Sequence, residues 1–193
     1  MPFNFPILLT WMRVALIPVF VAVFYLPVSW IQVETANLVG ALIFAFAAVT
    51  DWLDGFLARR WGQTSAFGAF LDPVADKLIV AAALILLVRL ERTDSILAMI
   101  IIGREITISA LREWMAQLGQ RKSVAVATVG KLKTTAQMVA ILLLLSDAPL
   151  VPYVDTNLLG NVLMVIAAIL TLWSMVYYLK MASVELSGKK IDV

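Results

Sequence analysis

The segment Asp51-Trp-Leu-Asp54-Gly55-Phe-Leu-Ala58-Arg59, followed after eight residues by Gly68-Ala-Phe-Leu-Asp72-Pro-Val-Ala-Asp76-Lys77, sets four aspartates across the joint between two apolar runs. At about 100° per residue, Asp51, Asp54, Gly55 and Ala58 share one narrow face of the first helix. Gly68, Asp72 and Asp76 recur at intervals of four and form a single row on the second. The joint is short and basic, with Arg59 and Arg60, so the helices are predicted to be antiparallel neighbours whose acidic rows converge. An ionised Asp near the middle of a membrane helix costs about 2.5–3.5 kcal/mol even on lenient insertion scales. Four of them facing one another add repulsion unless a cation lies between. The plainer alternative pairs them with Arg59, Arg60 and Lys77, which leaves at least one carboxylate uncompensated near lipid.

The rest of the chain supplies that lipid-facing context. Of its 193 residues, 62% are hydrophobic and 15% charged, and the mean hydropathy is +0.95. Soluble domains are about 45–50% apolar and about 25% charged, and a domain of this size has too much surface to hide the excess in a core. An all-α, polytopic membrane protein is therefore predicted. A spanning helix needs about 20 mostly apolar residues, and six runs qualify: Ile7–Leu26, Asn37–Leu57, Phe70–Leu90, Ser95–Gln117, Val129–Leu145 and Leu158–Leu179. Breakers mark the joints: Pro27 and Ser29, Gly62, Gly119, then Asp147, Pro149 and Pro152. Basic residues crowd the even joints and the tail (Arg59, Arg60, Arg121, Lys122, Lys131, Lys133, Lys180, Lys189, Lys190), while the odd joints hold only Arg89 and Arg92. The positive-inside rule then places both termini in the cytoplasm. Trp30, Trp61 and Tyr153 suit interfacial positions. No basic n-region or small-residue cleavage pattern opens the chain, so the first span is read as retained. With no internal repeat, low-complexity segment or soluble domain, residues 1–193 are read as a single membrane domain.

Composition also narrows the chemistry. The chain has no cysteine and no histidine, which excludes disulfides, thiolate nucleophiles, Cys/His zinc sites and Ser-His-Asp triads. A net charge of +2 is too small to argue for nucleic acid. Oxygen-only ligation points to Mg²⁺, Mn²⁺ or Ca²⁺, and Mg²⁺ or Mn²⁺ is the usual partner of phosphate substrates. Gly55, Ala58 and Gly68 lack bulk on the acidic faces, which lets a nucleotide or a helix come close.

The spacing D-x-x-D-G-x-x-A-R, eight residues, G-x-x-x-D-x-x-x-D resembles, at every fixed position, the signature of the CDP-alcohol phosphotransferases. Fixed residues at set spacing across two helices are far more specific than a lone glycine motif, and the six-span layout extends the resemblance over essentially the whole chain. Several expectations follow from it. Asp51, Asp54, Asp72 and Asp76 ligate one or two Mg²⁺ or Mn²⁺ ions, Asp76 is also the base, and Gly55, Ala58, Arg59 and Gly68 line the CDP site. Thr10-Trp-Met-Arg13 is similar to a T-x-x-R at the start of the family's first span and adds Thr10 and Arg13 to that site. Arg13 is costly in an apolar run and is expected to face the nucleotide or a carboxylate, with snorkelling to the interface as the alternative. The family often has Asn three residues before that threonine; this chain has Ile7, with Asn4 out of register.

The wider wording, Arg104-Glu105-Ile-Thr-Ile-Ser-Ala-Leu-Arg112 and Gly130-Lys131-Leu-Lys133-Thr134-Thr135-Ala-Gln137, looks like the phosphatidylglycerophosphate synthase branch of the family. That resemblance implies CDP-diacylglycerol as donor, sn-glycerol 3-phosphate as acceptor, CMP as leaving group, a homodimer, and a bacterial inner membrane with the site facing the cytoplasm. A phosphorylated acceptor needs cations. Arg104 and Arg112 lie eight apart on one helix face, and Lys131 and Lys133 open the fifth span on the same membrane side. The alternative is that the arginines offset Glu105 and Glu113 while the lysines touch lipid headgroups. Rival readings are another acceptor within the family, a membrane prenyltransferase, and a small cation transporter. Prenyltransferases need more spans and lack the Gly55 and Ala58-Arg59 pattern. Transporters tend to show the repeats that this chain does not.

Overall fold

Six helices account for almost all of the residues described in the computed structural model, which are 5–61, 66–117, 127–148 and 155–186. They are α1 (Phe5–Val23), α2 (Val33–Trp61), α3 (Ala66–Arg89), α4 (Ser95–Gln117), α5 (Ala127–Ser146) and α6 (Thr156–Leu186). Among the described residues there is no strand, so the fold is all-helical as predicted. The predicted runs each fall on one helix, with shifted ends. α2 and α6 continue well past their apolar stretches, because helix formation does not stop where hydropathy does. α1 stops at Val23, ahead of Pro27, where Phe24 N–H turns back to the Val21 carbonyl at 3.1 Å. Gly62, Gly119, Pro149, Pro152, Trp61's side chain and Tyr153 lie outside the described residues.

α3 sits centrally and touches α1, α2, α4 and α5, while α5 and α6 share the most extensive contact. α1 packs more extensively on both α2 and α3 than these two pack on each other. One half of the bundle is filled by apolar side chains: Phe20, Phe44, Leu84, Leu87, Ile101, Ile141, Leu144 and Met164 are essentially inaccessible. Alanines 41, 47, 83, 98, 140 and 168 lie among them and let the helix backbones approach closely. Gly160 serves the same end between α5 and α6, since a Cβ there would sit 2.7 Å from Leu144 Cγ.

The outer faces are apolar as well. Leu38, Leu42, Phe46 and Val49 recur along the exposed side of α2, and Leu158, Val162, Ile169, Trp173 and Val176 along that of α6. By length and composition, Val33–Asp51 and Thr156–Val176 could cross a membrane. The apolar stretches of α1 and α5, Leu8–Val23 and Lys133–Ser146, are shorter, and α3 and α4 are interrupted by the ionisable residues taken up below.

At the end where α3 meets α4, a guanidinium ties the bundle together. α3 closes with Glu91 in the left-handed region (φ 57°), Arg92 N–H bonded to Leu87 O at 2.9 Å and Glu91 N–H to Val88 O at 3.0 Å, a Schellman closure with Glu where Gly is usual. That turn points Arg92 into the bundle. Its Nη1 donates to the Leu144 and Leu145 carbonyls at the end of α5, both at 3.1 Å, and its Nη2 donates to Asn37 Oδ1 on α2 at 2.9 Å. Asp147, itself left-handed (φ 48°), pairs with Nη2 at 3.0 Å. Burial lowers the Arg92 pKa from its ordinary value, and the Asp147 charge acts in the opposite direction. Arg89 donates to Phe24 O at 3.2 Å and lies 3.8 Å over the Tyr25 ring. The two basic residues of this joint are thus engaged with helix-end carbonyls and a ring. Arg92→Met is expected to reduce unfolding free energy by about 2–3 kcal/mol, because it strands buried carbonyls and Asn37 together. Arg89→Met, at an exposed contact, is expected to change it by under about 1 kcal/mol. Thermal unfolding of the purified variants in detergent measures both, and equal small effects would remove Arg92 from this role.

Candidate active site

The opposite end of the bundle is polar inside. Antiparallel succession brings there the first half of α1, the end of α2, the start of α3, the second half of α4, the start of α5 and the end of α6. Each supplies a polar group. Thr10, Arg13, Arg104, Lys133 and Gln137 are all buried, as is Gly68.

α1 holds two of the expected metal ligands. Arg13, with none of its side chain exposed, donates from Nη1 to Asp51 Oδ1 at 2.7 Å. One turn earlier, the Thr10 hydroxyl donates to Asp72 Oδ1 at 2.5 Å. Arg13 faces a carboxylate, one of its two expected partners, and does not snorkel. The convergence of the acidic rows on α2 and α3 is mediated by α1. Asp51 and Asp72 repel each other across it. Asp76, one turn beyond Asp72, lies within electrostatic reach of Asp51, Glu105, Arg13 and Lys77. Lys77 turns back along its own helix and donates to Pro73 O at 3.1 Å, which the residue four positions further on can reach.

The side chains of Asp54, Ala58, Arg59, Arg112 and Lys131 lie outside the described residues, and so does the environment of Gly55. Among the described residues, no set of three acidic side chains is drawn together tightly enough to hold a metal ion. The donor chemistry nonetheless fits a hard divalent cation: the groups here are carboxylate oxygens, with no thiol or imidazole in the chain.

On the far side of Asp76, Arg104 Nη1 bonds Glu105 Oε1 at 2.5 Å, and Arg104 Nη2 donates to Ser174 Oγ on α6 at 3.2 Å. Lys133 Nζ, on α5, lies 3.6 Å from the same Glu105 oxygen. The pairing of Arg104 with Glu105 follows the plainer alternative for that arginine. The plainer alternative for Lys133, contact with lipid headgroups, is excluded by its burial at 4% exposure. Glu105 was expected only as a charge offset by the arginines, and Ser174 was not singled out from the sequence. Glu105 had a signal in the Arg-Glu dipeptide inside an apolar run; a serine in an otherwise apolar span offers none.

These contacts define an all-helical bundle with an acidic face and a cationic face meeting at one end. Residues 3–173 match the model of the CDP-alcohol phosphatidyltransferase family, and the chain belongs to that family. Proteins from Escherichia coli K12, Salmonella typhimurium LT2 and Shigella flexneri, each named a CDP-diacylglycerol–glycerol-3-phosphate 3-phosphatidyltransferase, are 55% identical to it over 188 residues. The matched region covers 96% of this chain and 98% of each relative. Family membership removes the prenyltransferase and transporter readings.

Because Arg13 is the buried counter-charge of Asp51, Arg13→Met is expected to cut CMP formation at least tenfold. Arg13→Lys is expected to recover only part of it, since an ammonium on a flexible stem does not reproduce the planar fork. Initial rates of the three proteins under identical conditions decide this, and full activity in Arg13→Met would show that the pair is dispensable.

Proposed function

We propose that the chain transfers the phosphatidyl group of CDP-diacylglycerol to sn-glycerol 3-phosphate, giving phosphatidylglycerophosphate and CMP. The observation that carries this reading is the meeting of the aspartates of α2 and α3 with the buried cations Arg104 and Lys133 at one end of the bundle. The names of the relatives supply the donor and acceptor. Asp51, Asp54, Asp72 and Asp76 would hold the divalent cation on which this family generally depends, Mg²⁺ or Mn²⁺, as one or two ions. When bound, that cation neutralises the donor pyrophosphate and the charge left on CMP.

The chain's own residues do the positioning. Arg13 and Thr10 orient Asp51 and Asp72, and with Gly55, Ala58, Arg59 and Gly68 they shape the CDP side. Arg104 and Lys133, with Arg112 and Lys131, receive the acceptor phosphate and aim its 1-hydroxyl. Asp76, placed between the acidic and cationic faces, accepts the proton of that hydroxyl. The alcohol oxygen bonds to the β-phosphorus, the bond from that phosphorus to the CMP oxygen breaks, and CMP leaves. As in phosphoryl transfer generally, placement and charge stabilisation carry most of the catalysis.

The same reading holds that all six helices span a bacterial inner membrane as one domain, residues 1–193. Both termini and the polar end then face the cytoplasm, and the protein is a homodimer. The apolar outer faces of α2 and α6 support a lipid surround. So does the engagement of Arg89 and Arg92, which takes the basic residues of the α3–α4 joint out of the topological count. Arg104 is buried and Asp72, Asp76 and Glu105 are half-buried, as suits ionisable groups inside a membrane.

Purified protein incubated with CDP-diacylglycerol, Mg²⁺ and labelled glycerol 3-phosphate should release CMP and move label into lipid, and EDTA should stop both. Asp76→Asn is expected to lower the rate by about 10²–10⁴-fold with folding intact. Release of CMP with a different alcohol only would change the acceptor, and near-normal turnover in Asp76→Asn would reject the base.

A further inference from the structure

Glu105 is the point at which the two buried cations of the acceptor side meet. A single oxygen, Oε1, takes the Arg104 hydrogen bond at 2.5 Å and lies 3.6 Å from Lys133 Nζ. Donors outnumber acceptors around it. Lys133 Nζ and Arg104 Nε are buried and have no hydrogen-bond partner among the described residues. Ser174 accepts from Arg104 and gives its own proton to the Thr171 carbonyl at 2.8 Å, so its hydroxyl is also engaged. The Thr171 hydroxyl is fully buried and likewise without a hydrogen-bond partner.

Charge follows the same pattern. One carboxylate stands against a guanidinium and an ammonium, and without it those two groups would repel across a buried site. Unsatisfied buried donors are costly to leave. A surplus of both donors and positive charge suits an anion with several acceptor oxygens, which phosphate is. Glu105 already serves as a one-charge version of such an anion, and it lies within electrostatic reach of Asp76, the expected base.

We propose that Glu105 is an internal anion standing at the phosphate-receiving position, where it holds Arg104 and Lys133 together until the phosphate of the acceptor takes its place. Glu105 is then a positioning residue. It keeps the cations assembled in the resting protein, and it sets a preference for acceptors whose phosphate can outcompete one carboxylate. A neutral alcohol cannot do so. The acceptor part of this inference rests on the function proposed above, whereas the anion position does not.

Titration of the purified full-length protein with inorganic phosphate, at matched ionic strength in chloride, tests it by calorimetry and by thermal unfolding. Glu105→Gln is expected to bind phosphate severalfold more tightly than the wild type. Its unfolding midpoint is expected to lie low without phosphate and to rise toward the wild-type value with it. A residue that only filled space would give a lowered midpoint that phosphate leaves alone. Glu105→Asp, which keeps the charge, should behave as the wild type. Lys133→Met gives a reading that does not depend on the Gln variant folding: it should weaken phosphate binding severalfold, and unchanged binding would overturn the proposal. So would phosphate binding by Glu105→Gln no tighter than that of the wild type. Tighter binding in Glu105→Gln from a wild type that ignores glycerol 3-phosphate would uphold the anion position and reject the acceptor assignment instead.

Discussion

Arg13 has no exposed surface, yet its side chain ends in a guanidinium, which has five N–H donors and no acceptor. Such a group can be buried only against an anion, and the anion it meets is Asp51. That single requirement organises the polar end of the molecule. It draws the first helix against the end of the second, and Thr10, one turn earlier on the same face, reaches the third through Asp72. Two carboxylates that repel each other are thereby held side by side by a third element. Such an arrangement would be unfavourable in a protein with no use for concentrated negative charge. It is what a site for a cation and a pyrophosphate needs.

The bundle separates its tasks by depth. Interlocked apolar side chains and small residues fill one half, and the Arg92 turn closes that half by satisfying the carbonyls at the end of α5. The other half holds buried cations and carboxylates whose pairing is incomplete. A packed end, with the last carbonyls of α5 bonded to Arg92, anchors the helices whose other ends keep the unsatisfied donors of Arg104 and Lys133. Rigid helices anchored at the far side hold Arg104, Lys133 and Asp76 in register even though local interactions among them do not close.

Much of this was legible in the sequence. Six apolar runs mapped onto six helices because hydropathy reports burial or lipid contact directly. The acidic motif pointed to its partner face because spacings of three and four residues fix a helix face. Arg13 was also legible, as a charge too costly to leave in an apolar run. What could not be read was which helix stands between which. Periodicity gives the direction of a side chain from its own axis and says nothing of the neighbour it meets, so the contact of α2 with α3 was expected, while the tie that α1 makes to both through Asp51 and Asp72 was not. Arg89 and Arg92 look like topological signals in a count of loop charges. Their role as hydrogen-bond donors to helix ends depends on a left-handed turn at Glu91, where the usual glycine signal is missing. The burial of Lys133 was hidden for the same reason: whether a lysine in the first turns of a helix is buried is a property of the packing of its neighbours.

The charge pattern around Glu105 bears on why a protein of this family would spend a carboxylate beside its own cations. An acceptor pocket made only of arginine and lysine would be a strong trap for any anion. The empty site would also carry the full repulsion of like charges in a medium that screens poorly. A glutamate on the same helix as one of the cations answers both problems. It lowers the net charge of the resting site, and it keeps the cations from drifting apart toward other partners. Its single charge, shared between two cations with an ammonium still 3.6 Å away, is a weaker match than a phosphate with several oxygens would be. If Glu105 stands at the phosphate position as proposed, exchange is favoured for a phosphorylated acceptor and disfavoured for an uncharged one. Selectivity of this kind comes from the competitor built into the site as much as from the contacts made to the substrate.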